Sequence, residues 1–284
     1  MDIALRTEAT LGEGPTWDPR TATLLWLDIL RGEIHRFDPS RGIDDMTEVG
    51  QHVGAAKPRT AGGLVANLVE GVALLDADGG RRWLVYWARD GVRGNDAGVD
   101  PSGRLWAGTM RYDQAAGGGW LARVEPSGDA GTVLAEVSIS NGIGWSPDGA
   151  RMYYIDSPTH RIDVFDFDAA EGSATNRRPL CTVADTDGVP DGLCVDSSGC
   201  VWVAVNGGGA VRRYTPQGAL DREVRLPVSQ VSACCFGGDG LGDLYATTAR
   251  EGMTAQQLAE QPLSGSLFVL PGAGNGIAQP LFAG

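Results

Sequence analysis

The stretch Asp100-Pro101-Ser102-Gly103-Arg104-Leu105-Trp106 joins a turn to the start of a strand that carries a large apolar side chain at its second position. It returns as Ser146-Pro147-Asp148-Gly149-Ala150-Arg151-Met152-Tyr153, as Asp196-Ser197-Ser198-Gly199-Cys200-Val201-Trp202, and as Gly238-Asp239-Gly240-Leu241-Gly242-Asp243-Leu244-Tyr245. A weaker copy spans residues 18–25. With Leu25, Trp106, Tyr153, Trp202 and Tyr245 taken as equivalent, the spacings are 81, 47, 49 and 43 residues. The long first interval holds one more unit, supplied by Gly62-Gly63-Leu64-Val65-Ala66. Six units about 40 to 50 residues apart have the length of four-stranded propeller blades.

A second series follows the first. Residues 32–39, 119–126, 161–166, 210–214 and 265–270 alternate apolar and polar side chains, as a strand with one buried face should. Sustained helical periodicity is absent, and only Thr254 to Gln261 suggests a helical turn or two. The reading is therefore an all-β, six-bladed β-propeller occupying residues 1–284 as one domain. Such blades bury their faces only by closing into a ring, whose axial channel opens at mouths built from loops. A functional site belongs there.

Composition agrees. The 42 glycines and 15 prolines are spread along the chain, as many short strands and tight turns require. A net charge of -13 argues against a nucleic-acid partner, which normally meets a basic face. Neither a secretory leader nor a run of about 18 apolar residues occurs, so a soluble, cytoplasmic protein without membrane contact is expected. The five cysteines are odd in number and lack C-x-x-C spacing, so they read as reduced packing residues.

Only three histidines occur, and no G-x-S-x-G elbow is present, which disfavours Ser-His-Asp chemistry. His35 and His160 read as structural or surface residues, and His52 has no partner implied by its surroundings. Scarce His and unpaired Cys leave oxygen as the donor for any metal. Glu13 in Leu11-Gly12-Glu13-Gly14-Pro15, Asn141 in Ser140-Asn141-Gly142 and Asp191 in Pro190-Asp191-Gly192 are the candidates. Each stands four residues before an apolar strand residue, Trp17, Trp145 or Val195, so the three should occupy equivalent places in blades 1, 4 and 5. Asn-Gly and Asp-Gly are also ordinary turn signals. The shared offset and the presence of a Glu favour convergence on one cation. Asn95, four residues before Val99, brings blade 3 to the same mouth as a further ligand or substrate contact, and Arg93 offers a planar donor fork.

These segments, together with residues 108–110, 153–157, 234–238 and 248–253, resemble the regucalcin/gluconolactonase family, also called the senescence-marker-protein family, over nearly the whole chain. The resemblance implies a six-bladed propeller that hydrolyses sugar lactones with one divalent cation held by Glu13, Asn141 and Asp191. It also implies substrate contacts from Arg93 and Asn95, and from Asp113, which falls where animal members carry a Glu. Gly94 lies where many members have a larger side chain, and residues 111–118 would form a lid, so a pocket of altered size is expected.

On this reading Asp191 is both ligand and general base, and the substrate is a small-molecule sugar lactone. Oxygen ligation favours Ca²⁺, with Mg²⁺, Mn²⁺ or Zn²⁺ as alternatives. The expected assembly is a monomer or small homo-oligomer. Two other readings stay open: an esterase or phosphotriesterase on the same scaffold, and a calcium-binding regulatory propeller without catalysis.

Overall fold

The computed structural model describes residues 1–77 and 79–284. Six four-stranded antiparallel sheets form the blades of a β-propeller. Blade 1 comprises Gly12–Asp18, Thr23–Asp28, Glu33–Asp38 and Ile43–Glu48, from the axis outward. The innermost strands of blades 2 to 6 are Val53–Pro58, Val92–Val99, Ser140–Trp145, Val189–Val195 and Val231–Gly237. Blade 6 is completed by the N-terminal strand Asp2–Leu5, which pairs antiparallel with Leu267–Leu270. Chain ends thus share one sheet, and the ring closes through hydrogen bonds between them.

The recurring turn has a physical reason. Asp100 accepts from the backbone N–H groups of Ser102 (2.9 Å) and Arg104 (3.0 Å) through Oδ1, and from the Trp106 indole (3.1 Å) through Oδ2. Asp196 repeats the arrangement with Ser198, Cys200 and the Trp202 indole. One carboxylate therefore fixes both the turn and the large ring that the next strand buries. Gly103 adopts φ 83°, a left-handed conformation that only glycine takes readily.

Apolar side chains from neighbouring blades interlock between the sheets. Trp106 of blade 3 meets Trp145 and Phe167 of blade 4 edge to face, with centroids 6.0 and 5.7 Å apart. Outermost strands are mostly exposed and polar, as Ile43–Glu48 illustrates. The sole α-helix among the described residues, Ala255–Glu260, begins with a capping box between Thr254 and Gln257. None is long and apolar enough to cross a membrane.

Every innermost strand breaks register near its start, between Glu13 and Thr16, Val53 and Ala55, Gly94 and Ala97, Ser140 and Ile143, Pro190 and Leu193, and Val231 and Ala233. A bulge re-aims the side chain it carries. The equivalent positions are Glu13, Gly54, Asn95, Asn141, Asp191 and Ser232, each four residues before the last apolar or proline position of its strand. At the other face, the C-terminal tail crosses the axis. Phe282 N–H donates to Pro58 O at 3.0 Å, the Phe282 ring is fully buried, and residues 277–280 line an axial cavity of about 370 Å³.

Candidate functional site at the channel mouth

The bulges of blades 1, 4 and 5 bring Glu13, Asn141 and Asp191 to one mouth, where all three are buried. Their mutual approach shows in their electrostatics. Burial pushes the Glu13 carboxyl well above its ordinary value, and the Asp191 and Asp96 charges push it further. Asp191 is pushed up to about 7, chiefly by burial, with Asp96 adding to the rise and the Asn206 hydrogen bond and the Arg93 charge opposing it. Asp191 Oδ2 accepts from Asn206 Nδ2 at 3.0 Å, whereas Oδ1 is buried without a hydrogen-bond partner among the described residues. An ionised carboxylate oxygen buried in that way is costly unless a cation meets it.

Hydrogen bonds also dictate which way Asn141 faces. Ser157 Oγ donates to Pro190 O at 2.7 Å, so it can only accept from Asn141 Nδ2, at 2.8 Å. The amide oxygen is thereby turned to the axis, where it accepts from Asn95 Nδ2 at 2.9 Å. Asn95 is itself fully engaged: its second Nδ2 proton goes to Ser140 O at 2.8 Å, and its Oδ1 accepts from Arg93 Nη1 at 2.6 Å. In this arrangement Asn95 orients Asn141 and Arg93 together. Only two of the three axial donors are carboxylates, so no cluster of three His, Cys, Asp or Glu occurs among the described residues. A glutamate, an aspartate and an amide oxygen, one of them orphaned, nevertheless fit a hard divalent cation.

Close packing of the innermost strands supports this geometry. A Cβ on Gly142 would lie 2.7 Å from Asp191 O, so the Asn141 and Asp191 backbones approach as nearly as they do because residue 142 has no side chain. Gly94 has a different role from the one its family position suggests. A Cβ there would meet Asn67 Oδ1 and Leu68 O, both at 2.7 Å, so Gly94 abuts blade 2 and does not widen the mouth.

Arg93 is buried beside the donors, and its Nη1 is committed to Gly94 O and Asn95 Oδ1. Asp113 stands apart on the 111–118 loop: its side chain is 56% exposed and takes a bidentate bond from Arg111, at 2.8 and 2.7 Å. The same loop brings Tyr112 to the mouth, where its hydroxyl lies 2.8 Å from His52 Nδ1. His52, which appeared partnerless in sequence, thus has a partner sixty residues away. His35 is structural, stacked on Trp26 at 3.9 Å and bonded to Asp44 at 2.7 Å. All five cysteines are free thiols. Sequence reasoning gave no role to Ser157, although it ends the stretch 153–157, and missed Asn206, because each acts on a site residue of another segment.

A six-bladed propeller with an axial set of buried oxygen donors defines the class of protein. Residues 11–250 match the SMP-30/gluconolactonase/LRE-like region, and the chain belongs to that family. It is 38% identical over 288 aligned residues to a 6-deoxy-6-sulfogluconolactonase of Pseudomonas putida, covering 100% of this chain and 99% of that protein. Regucalcin of Danio rerio is 34% identical, with 96% and 95% covered. The crystal structure of a calcium-binding regucalcin from Agrobacterium tumefaciens superposes with a TM-score of 0.95 at 30% identity, covering 99% and 96% of the two chains.

Proposed function

We propose that the chain hydrolyses a sugar lactone to the open-chain acid with one divalent cation held by Glu13, Asn141 and Asp191. The observation that carries this reading is the orphaned Asp191 Oδ1, buried beside Glu13 and an amide oxygen that its own hydrogen bonds turn to the axis. Full-length similarity to a sulfogluconolactonase supports the lactone, and similarity to a calcium-binding regucalcin favours Ca²⁺. A bound cation supplies Lewis acidity, polarising the lactone carbonyl and acidifying water.

The chain's own groups do the rest. In this reading Asp191, besides holding the cation, accepts a proton from the attacking water as the water oxygen bonds to the carbonyl carbon. Breakage of the ring ester C–O bond then releases the sugar hydroxyl, which takes up that proton. A base poised near neutrality suits the task; a cation lowers the pKa of Asp191 and of the water together. Arg93 presents donors to substrate oxygens, and Asn95 holds both Arg93 and Asn141 in place.

The test is hydrolysis of gluconolactone, xylonolactone, arabinonolactone and galactonolactone after chelation and readdition of single metals. We expect turnover that is lost on chelation, restored by one or more divalent cations and reduced at least about a hundredfold in Asp191→Asn. Metal binding without hydrolysis of any lactone would replace this reading with a calcium-binding role.

A further inference from the structure

The row of residues two places upstream of the bulge forms the next layer of the mouth. Around the ring it reads Leu11, His52, Arg93, Ile139, Val189 and Gln230. Isolated bridges at Leu11, Ile139 and Gln230, each to the preceding blade, mark three of these positions as equivalent. Apolar or neutral residues fill four of the six, while His52 and Arg93 stand side by side on blades 2 and 3. The layer is therefore polarised, with its imidazole and its guanidinium on one wall.

Three further observations define that wall. Arg93 uses only Nη1 for protein bonds, so Nη2 and Nε, with three N–H groups, have no protein partner among the described residues. Tyr112, 46% exposed, reaches over from the 111–118 loop, bonds His52 at 2.8 Å and meets its ring edge-on with centroids 5.6 Å apart. In either imidazole tautomer this pair keeps one donor to spare: His52 Nε2–H when Tyr112 donates, or Tyr112 O–H when Nδ1 donates.

We propose that His52, Tyr112 and the open edge of Arg93 form a subsite for an oxyanionic substituent, a sulfonate or phosphate, on the end of the lactone remote from its carbonyl. The placement rests on the lactonase reading above, which sets the carbonyl at the layer below. The three free N–H groups of Arg93 and the spare donor of the His52–Tyr112 pair suit an acceptor-only group, and a fixed guanidinium favours a charged one. Of the carboxylates facing the mouth, Glu13 and Asp191 are buried one layer deeper, and the charge of Glu251 reaches Arg93 and His52 from an exposed side chain, where solvent screens it. His52 need not be charged, since burial and the Arg93 charge hold its pKa below the ordinary value and either tautomer supplies a donor.

The experiment uses the full chain with saturating divalent cation. It compares kcat/KM for gluconolactone, 6-phosphogluconolactone and 6-deoxy-6-sulfogluconolactone in the wild type, His52→Ala, His52→Gln and Tyr112→Phe. Loss of one hydrogen bond to a charged group is worth about tenfold, so the ratio of oxyanionic to neutral lactone should fall about tenfold in His52→Ala, through KM. Tyr112→Phe should lower it less, and His52→Gln, which keeps a donor, should restore part of it. Whichever oxyanionic lactone has the higher wild-type ratio identifies the group. An unchanged ratio in His52→Ala overturns the subsite even if every lactone is hydrolysed. Calorimetric binding of 6-deoxy-6-sulfogluconate, the open acid, gives a second readout independent of turnover: binding weakened in His52→Ala supports the subsite whether or not any lactone is hydrolysed, and equal binding by wild type and variant overturns it.

Discussion

The amide of Asn95 donates to Asn141 Oδ1 at 2.9 Å across the seam between blades 3 and 4, while its own oxygen accepts from Arg93 at 2.6 Å. One side chain thus couples the proposed cation donor to the proposed substrate donor. Asn95→Ala should lower divalent-cation affinity about tenfold to a hundredfold, the usual cost of removing a group that orients a ligand. Isothermal titration with Ca²⁺ measures it. Ser157→Ala should act in the same direction, since Ser157 fixes the orientation of Asn141 from the other side.

Glycine 142 offers a test that alters no donor. In Gly142→Ala the new methyl would press on Asp191 O and on Leu193, both under 3 Å away. Blades 4 and 5 would separate locally, and cation affinity should fall by about tenfold or more with little change in secondary structure. Affinity equal to wild type would show that the strands adjust without moving the donors.

In the metal-free protein the raised pKa of Asp191 has a definite sign. A carboxyl whose folded pKa lies above its unfolded value favours folding only where it is protonated. Its penalty is absent below the unfolded value, near 3.8, and grows until the pH passes about 7. Glu13 shifts in the same direction. The melting temperature of chelated protein should therefore drop as pH rises from 5 to 8. Saturating cation should flatten that dependence, as should Asp191→Asn, and calorimetry at several pH values would reveal a flat metal-free profile if burial does not destabilise the pair.

Asp100 tests the repeat itself. Asp100→Ala leaves the Trp106 indole and the Ser102 and Arg104 amides without their acceptor in a fully buried site. We expect a loss of about 3 kcal/mol in urea denaturation. Asp100→Asn, which retains an acceptor, should cost less, and cation affinity should change little because the turn lies away from the mouth.

These turns explain why so much of the ring was legible in sequence. Asp100 and Asp196 must sit at a fixed distance before the tryptophan whose indole they bind, so the repeat carries its own spacing. Glu13, Asn141 and Asp191 share an offset because a bulge occurs at the same point of every innermost strand. Third strands such as Glu33–Asp38 showed through their buried apolar residues, Ile34 and Phe37, although these two point to opposite faces. Fourth strands were harder to see, since Ile43–Glu48 and Leu220–Arg225 are largely exposed and free of that constraint. The contact of His52 with Tyr112 and the direction of Gly94 depend on neighbouring blades, which no local pattern encodes.

Because Asp2–Leu5 occupies the last place in a sheet begun by Val231–Gly237, a nascent chain cannot finish its ring until some of its latest residues meet its earliest ones. Until then Leu267–Leu270 presents a bare edge that any extended peptide could join. Glu13 and Asp191 are reached from opposite sides of that fastening. A tag or deletion that loosened it should therefore also weaken binding of the proposed cation.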